Sequence, residues 1–256
     1  MLLRRVLSVV FWAFIVVSSL ALFPIAVLLW AATAPFDRRR VLLHRFTCFW
    51  ASLYTWLNPG WRVHIAGREH VRPEATYVIV ANHQSLLDIL VLFRLFVHFK
   101  WVSKEELFRI PCIGWNMSLN RYIRLRRGDA TSIARMMREA LTALGEGNSL
   151  MIFPEGTRSA DGRLKAFKHG AFTLAKNAAV PLLPVVIEGT AHALPKRGFV
   201  LQGRHRIRVR VLPEIPPQAF ADLSVEALTE RVHQLFRTAL GTSGPASPRA
   251  DTAACA

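Results

Sequence analysis

Residues 77–88 read Tyr-Val-Ile-Val-Ala-Asn-His-Gln-Ser-Leu-Leu-Asp, and their pattern indicates the fold class. The apolar run Tyr77–Ala81 predicts a buried β-strand, and the polar pair Asn82-His83 follows at its C-terminal end. A helical pattern then runs from Leu86 to Phe99. A strand that leads through a polar loop into a helix is the repeating unit of an α/β domain.

The alternation of strands and helices continues along the chain. Further strands are predicted at Trp61–Ile65, Ser149–Phe153, Pro181–Ile187 and Ile207–Leu212, and helices at 129–144, Phe167–Ala179 and Ser224–Leu240. We therefore predict an α/β domain over residues 59–240, with a mixed central sheet flanked by helices. Ligands of such sheets bind beyond the C-terminal ends of the strands. Residues 241–256 are rich in Ser, Pro, Ala and Gly and are predicted to be a disordered tail.

Residues 1–58 are predicted to form an N-terminal membrane-associated helical segment. Val6–Phe36 contains no charged residue and exceeds the roughly 20 apolar residues that cross a bilayer. The same length argues against a signal peptide, whose apolar core is about 7–15 residues long. Basic residues flank both ends, and Pro24 lies in the middle, so a kinked, re-entrant hairpin competes with a single span.

A second apolar stretch, Val41–Leu57, carries Trp50, Tyr54 and Trp56. Aromatic residues of this kind suit the headgroup level of a membrane, but an ordinary core helix fits the stretch equally well. We expect two membrane-associated helices and a catalytic domain on the cytoplasmic face of a bacterial inner membrane.

The charge balance predicts an anionic partner. The chain has 33 Lys and Arg against 17 Asp and Glu, a formal net charge of +16. No nucleic-acid-binding motif is evident, so with a membrane segment in the same chain we expect anionic membrane phospholipids and no nucleic acid. The three cysteines, Cys48, Cys112 and Cys255, are scattered, which argues against a disulfide framework or a structural zinc site.

His83 is the strongest catalytic candidate because it follows a predicted strand and has Asp88 five residues further on. On an ideal helix this spacing places the two side chains about 140° apart, so they meet only if His83 lies in the loop and turns back. The carboxylate then accepts from one ring nitrogen and leaves the other as a general base. The competing interpretation is a structural histidine beside an unrelated helix carboxylate.

A second block, Phe-Pro-Glu-Gly-Thr-Arg-Ser at residues 153–159, follows another predicted strand. Gly156 permits a close approach of the backbone, and Arg158 offers a rigid fork suited to phosphate. An ordinary β-turn with a solvated arginine is the alternative for this block taken alone.

In this order, the two blocks resemble the first and third motifs of the glycerolipid acyltransferase family, whose bacterial 1-acylglycerol-3-phosphate acyltransferases match in size and layout. The likeness extends over about residues 60–215 and includes Val180–Val185, which resembles the fourth motif. The second motif departs from the family pattern. Arg121 stands where the family usually has Gly, Arg126 occupies the acidic position, and Arg127 matches the motif arginine.

The resemblance implies that His83, oriented by Asp88, deprotonates a free glycerol hydroxyl group of lysophosphatidic acid. The oxygen then attacks the thioester of acyl-CoA or acyl carrier protein, and no cofactor or metal is implied. The substrate-binding residues implied are Arg126, Arg127, Glu155, Gly156, Thr157 and Arg158. Alternatives that stay open are another acceptor such as a lyso-ornithine lipid, a lipid hydrolase that uses Ser85, and a non-enzymatic lipid-binding protein.

Overall fold

A computed structural model describes residues 2–159, 162–196 and 198–242. The strands are β1 (Trp61–Ala66), β2 (Val78–Ala81), β3 (Phe99–Lys104), β4 (Ile123–Leu125), β5 (Ser149–Ile152), β6 (Leu182–Glu188) and β7 (His205–Val211). The helices are α1 (Leu2–Thr33), α2 (Val41–Trp56), α3 (Leu87–Phe93), α4 (Ile113–Leu119), α5 (Ala130–Gly145), α6 (Gly170–Ala178), α7 (Thr190–Ala193) and α8 (Val225–Thr242).

All the strands of the described chain form one sheet, in the order β1-β7-β6-β2-β5-β3-β4. The neighbours from β6 to β4 run parallel to one another. In contrast, β7 is antiparallel to β6 and parallel to β1. The predicted mixed α/β sheet is therefore confirmed. The five strands from β6 to β4 all end on one side of the sheet, which we call the C-terminal rim; the side where they begin is the N-terminal rim.

Both faces of the sheet are covered, as the apolar run of β2 predicts. Ile79 and Ala81 face a core that is shared with α2 and α3. Val78 and Val80 face the opposite core, which α5, α6 and α8 complete. Because β2 lies in the middle of this three-layered arrangement, the loop that follows it is held by structure on both sides.

The helix predicted over Leu86–Phe99 is wrong in its second half. α3 ends at Phe93, and Phe99 begins β3, whose Phe99 and Trp101 side chains are buried. Phe96, between them, has a left-handed φ of 57°, which no helix can continue through. Apolar residues in the segment fit a helix and a buried strand alike, so the pattern alone did not separate the two.

α1 lies along the domain and is one continuous helix through Pro24, so the re-entrant hairpin that the sequence left open is wrong. The Leu201 amide donates to Ser8 Oγ at 2.9 Å near one end of α1, and Phe23 packs on Trp115 beyond its middle. By length and composition α1 is suited to cross a membrane, and only 17% of its most apolar stretch of 18 residues is buried. α1 therefore presents an apolar outer face that the described protein leaves uncovered.

α2 is mainly a core helix. Asp37 caps it by accepting from the Val41 and Leu42 amides at 2.9 and 2.8 Å. Trp50 and Tyr54 are buried and hydrogen-bonded to each other, so the prediction that they reach a headgroup layer is wrong; Trp56 is exposed. Of the two interpretations of this stretch, the structure favours the core helix.

The N-terminal segment and the α/β domain share one hydrophobic core, in which Leu43 and Cys48 of α2 join Ile79 and Phe99 of the sheet. At the other end of the chain, α8 continues to Thr242. Residues 243–256 of the predicted tail, including Cys255, lie outside the described residues.

Candidate active site

The loop between β2 and α3 is fixed at the C-terminal rim by Asn82. The buried side chain of Asn82 donates from Nδ2 to the Ile187 carbonyl oxygen and accepts the Ile187 amide on Oδ1, both at 2.8 Å. This pair of bonds joins the end of β2 to the end of β6. The next residue, His83, therefore leaves the sheet from an anchored backbone.

His83 and Asp88 form a hydrogen-bonded pair. His83 Nδ1 lies 2.8 Å from Asp88 Oδ2, although the two residues are five positions apart. The pair forms because His83 lies in the loop and Asp88 in the first turn of α3, so the chain turns back between them. The amides of Gln84 and Ser85 donate to the same Oδ2 atom at 2.6 and 2.8 Å. The carboxylate thus fixes the loop as well as the imidazole.

The geometry gives His83 the arrangement of a general base. The Asp88 side chain is completely buried, whereas 12% of the His83 side chain is exposed. With the proton on Nδ1 directed at the carboxylate, Nε2 keeps its lone pair and faces away from Asp88. This tautomer is assigned from the hydrogen bond. A buried carboxylate also stabilises the imidazolium that forms when Nε2 takes a proton.

Phe153 holds the imidazole ring from one face. The two rings are stacked, with 3.8 Å between centroids and 8° between planes. Trp101 supports Phe153 from behind at 5.4 Å. No role was predicted for Phe153, although it lies in the second sequence block. Its position at the end of a strand, opposite the loop that carries His83, was the feature that could have indicated a role.

Glu155 is buried and ties the two sequence blocks together. Its Oε1 accepts the His83 amide at 2.6 Å and its Oε2 accepts the Lys165 amide at 3.0 Å. Burial, together with the negative charge of Asp88, raises the pKa of Glu155 to about 7. Since both oxygens are occupied by backbone amides, the structure places Glu155 as a positioning residue for His83.

Gly156 makes the turn after β5 possible. It has a φ of +69°, and its amide donates to the Phe153 carbonyl oxygen at 3.0 Å. A Cβ atom at this position would lie 3.0 Å from Lys168 Cε and 3.3 Å from Lys168 Nζ. The turn therefore has a lysine ammonium group beside it, a cation that the sequence predictions did not include among the site residues.

Thr157 and Arg158 are half-buried at the outer end of this turn. The Arg158 carbonyl oxygen accepts from Lys196 Nζ at 2.7 Å, and Ser159 donates its amide to the His83 carbonyl oxygen at 2.8 Å. No hydrogen-bond partner for the Arg158 guanidinium occurs among the described residues. Arg158 thus belongs to the same loop assembly as His83 and keeps its cationic group available.

Arg126 and Arg127 follow β4, at the C-terminal rim, but three strand spacings from β2, or roughly 14 Å. Arg126 is exposed, and its Nε donates to Glu105 Oε2 at 3.0 Å while Asp129 lies 3.8 Å away. Arg127 is exposed, and within the described ranges its side chain has no ion-pair partner. Of the two, Arg127 is the one free to bind a substrate anion.

Ser85 is not placed as a nucleophile. Its side chain is completely buried, and its hydroxyl group donates to the Leu194 carbonyl oxygen at 2.6 Å and accepts the Leu87 amide at 3.2 Å. The hydroxyl is thereby committed to the loop. In the part of the chain that the structure describes, no group of three or more His, Cys, Asp or Glu residues is arranged to hold a metal ion.

Comparison with known proteins places the chain among acyltransferases. The acyltransferase family model matches residues 62–188. The chain is 35% identical to a 1-acyl-sn-glycerol-3-phosphate acyltransferase of Chlamydomonas reinhardtii, over 90% of this chain and 70% of the algal protein. It is 39% identical to the chloroplastic 1-acyl-sn-glycerol-3-phosphate acyltransferase BAT2 of Brassica napus, over 67% of this chain and 51% of that one.

The fold matches a solved structure as well. The crystal structure of PlsC, the 1-acyl-sn-glycerophosphate acyltransferase of Thermotoga maritima, superposes with a TM-score of 0.78 over 95% of this chain and 98% of that one, at 23% identity. This likeness shows the fold, including the N-terminal helices. The curated relatives are longer, and the chain spans about half the length of the Brassica protein.

Proposed function

The chain belongs to the acyltransferase family, and from this premise we propose that it acylates the free hydroxyl group of 1-acyl-sn-glycerol-3-phosphate to give phosphatidic acid. The observation that carries the proposal is the His83–Asp88 pair, 2.8 Å apart at the C-terminal rim. A histidine held by a buried carboxylate removes a proton from a hydroxyl group near neutral pH.

The reaction needs one base and no covalent enzyme intermediate. His83 Nε2 takes the proton of the acceptor hydroxyl group while the hydroxyl oxygen bonds to the carbonyl carbon of the thioester. The tetrahedral intermediate then collapses, the carbon–sulfur bond breaks, and the imidazolium returns the proton to the leaving thiolate. Phe153 and Glu155 keep the imidazole in place throughout, through the ring stack and the bond to the His83 amide.

We propose that cationic side chains at the C-terminal rim bind the phosphate group of the acceptor. Arg158 lies in the loop that bonds to the His83 backbone, and the Lys168 ammonium group lies beside Gly156. Arg127 is the further candidate, at the end of β4. Guanidinium groups bind phosphate through paired charge-assisted hydrogen bonds. The acyl donor is acyl-CoA or acyl carrier protein, both of which present the same thioester.

A membrane position follows from the exposed apolar face of α1. Val9, Val16, Leu20 and Leu28 lie on this face and are more than half exposed. Because α1 also contacts the domain along much of its length, we propose that it lies in the membrane surface and carries the site to its lipid substrate. The inner membrane of a bacterium, with the domain on the cytoplasmic side, is the location we propose.

A second acceptor is a candidate because of the second sequence motif. Arg126 occupies a position that is usually acidic in the family, and Glu105 and Asp129 pair with it here. This departure from the motif, next to Arg127, favours a different headgroup, such as that of a lyso-ornithine lipid, with the same transfer chemistry. The lipid hydrolase is disfavoured because Ser85 is buried and hydrogen-bonded.

The deciding experiment incubates membranes containing the full chain with labelled acyl-CoA and a panel of lyso-lipids. We expect label in phosphatidic acid with the wild type and none with His83→Ala. Label in another lipid moves the acceptor and keeps the mechanism. If no lyso-lipid is labelled with acyl-CoA, the assay is repeated with acyl carrier protein, and failure with both donors rejects the transferase.

A further inference from the structure

A cavity of about 540 Å³ lies between α5 and the β3–β4 side of the sheet. Lys100, near the start of β3, and Asn148, just before β5, line it, so it belongs to the N-terminal rim. His83 follows the C-terminal end of β2, on the opposite rim. The cavity is therefore separate from the candidate active site.

The lining of this cavity is strongly basic. Arg38, Arg121, Arg124, Arg138 and Lys100 line it, against the carboxylates Glu139 and Glu146. The carboxylates have other neighbours. Glu139 lies 4.0 Å from Arg135 Nε, and Glu146 accepts from Asn148 Nδ2 at 3.4 Å. An excess of cations around an open space attracts an anion.

Lys100 is the unusual member of this set, because it is only 3% exposed. Its Nζ donates to the carbonyl oxygens of Arg39 and Asn120 at 2.6 and 2.8 Å, and no carboxylate bonds to it within the described ranges. Burial and the charge of Arg121 lower the pKa of Lys100 to about 7. The carboxylates of Asp37 and Glu146 offset only part of this effect, so a further anion that enters the cavity stabilises the buried ammonium group.

Arg121 is held there at a conformational cost. Its φ is +55°, in the left-handed region that favours glycine and is strained for other residues. A glycine would satisfy this turn without strain. The strained position instead carries an arginine, which lines the cavity together with Ser118 and Arg124. Strain of this kind is frequent at sites that bind ligands.

We propose that this cavity binds a phosphate-bearing anion, held by the guanidinium groups of Arg121 and Arg138 above the Lys100 ammonium group. Arginine forks suit the oxygens of phosphate, and the volume lies in the range of small-molecule sites. The same chemistry is present in the headgroup of an anionic phospholipid and in a soluble phosphate compound. Arg38 lies in the turn that follows α1, which brings one wall of the cavity close to the membrane helix.

The test uses the full chain in detergent with inorganic phosphate as the probe. A background in which Arg127, Arg158 and Lys168 are all glutamine removes the phosphate contacts assigned to the active site. In that background Arg121→Gly and Arg138→Gln are each compared with Arg62→Gln, an exposed arginine on β1. Arg121→Gly suits the backbone of its turn, so the fold is retained while the cation is lost.

We expect titration calorimetry to show phosphate binding that Arg121→Gly and Arg138→Gln each weaken about tenfold, the loss of one charge-assisted contact, with Arg62→Gln unchanged. A second arm measures flotation with phosphatidic acid vesicles against phosphatidylcholine vesicles. Weakening in the phosphate arm alone identifies a soluble compound, and weakening in the vesicle arm identifies a lipid headgroup. The proposal is overturned if the two variants match Arg62→Gln in both arms, or if the background binds neither probe.

Discussion

The carboxylate of Glu155 accepts the backbone amide of His83 at 2.6 Å. This bond crosses between two loops that are 72 residues apart in sequence and that follow neighbouring strands, β2 and β5. The second carboxylate oxygen of Glu155 accepts the Lys165 amide, so the same side chain also holds the backbone beyond the turn. The proposed base, His83, is thus positioned by a residue of the other motif.

Replacing Glu155 with Gln is expected to slow acyl transfer about tenfold with little change in KM. One amide oxygen cannot accept from both backbone amides, and the side-chain NH₂ then faces one of them, which displaces His83 by enough to weaken proton transfer. Steady-state kinetics with the lyso-lipid acceptor measure the change. An unchanged kcat would show that the bond to His83 has no part in positioning it.

Glu155 also predicts a pH dependence of stability. Its pKa is raised from 4.5 to about 7 in the folded chain, so the folded state holds a proton that the unfolded state releases between these values. The free energy of unfolding therefore falls as pH rises through this window, by about 3 kcal/mol from this group, and levels off above pH 7.

Chemical denaturation at pH 5, 6, 7 and 8 measures this slope. Glu155→Gln is expected to remove most of the decline, whatever its effect on stability at any single pH. An identical slope in the wild type and in Glu155→Gln would assign the pH dependence to other groups.

Two substitutions of Asp88 can separate the effect of its negative charge from its effect on the orientation of the His83 imidazole. All three donors reach Oδ2, and none of the described residues donates to Oδ1. In Asp88→Asn the amide oxygen can occupy the Oδ2 position and keep the imidazole tautomer, so the charge is lost while the three contacts to this oxygen are kept. We expect kcat to fall about 10²-fold in Asp88→Asn and about 10⁴-fold in Asp88→Ala.

Single-turnover rates compare the two variants, with circular dichroism to check the fold. Equal losses in Asp88→Asn and Asp88→Ala would mean that orientation by the oxygen contributes nothing beyond the charge.

The stack of Phe153 on His83 predicts that ring shape matters at position 153. Phe153→Leu removes the flat surface that restrains the imidazole and is expected to lower kcat about tenfold, whereas Phe153→Tyr keeps the ring and most of the activity. Kinetics and thermal unfolding are measured together. A loss of activity in Phe153→Leu that follows only from a lower melting temperature would argue against a role in positioning.

The arginines at the C-terminal rim are expected to differ in how much they contribute to binding of the lyso-lipid acceptor. Arg158→Gln and Arg127→Gln are expected to raise KM for the lyso-lipid about tenfold each, the loss of a charge-assisted bond to phosphate. Arg126→Gln serves as the matched control, because Glu105 already engages its side chain. A larger effect of Arg126→Gln than of Arg127→Gln would reverse the assignment.

The sequence predicted the parts of the site that depend on local pattern. The apolar runs before Asn82 and before Pro154 identified two buried strands, and the polar residues at their C-terminal ends identified the two loops. The order of the motifs then indicated the acyltransferase family. These features can be predicted from the sequence because a strand that is buried on both faces has a continuous apolar run, and because turns favour a small set of residues.

The strand order is what the sequence left open. β3 was not predicted: the predicted helix ran on to Phe99, the first residue of this strand, since apolar residues such as Phe93 and Phe99 fit a helix or a buried strand equally well. Without β3 the distance of Arg127 from His83 could not be estimated, and the basic cavity between β4 and α5 could not be located.

The sequence alone predicts an α/β domain with an apolar N-terminal helix, and it places His83 and Arg158 after strands. It does not reveal that Glu155 binds the His83 amide, that Phe153 stacks on the imidazole, or that Ser85 is buried; these features become visible in the folded chain. The difference lies in the range of the interactions. Apolar periodicity and turn chemistry act between near neighbours in the chain. The contacts of His83 with Phe153 and Glu155 instead join loops about 70 residues apart and exist only once β2 and β5 are paired, and Ser85 bonds to Leu194, 109 residues away.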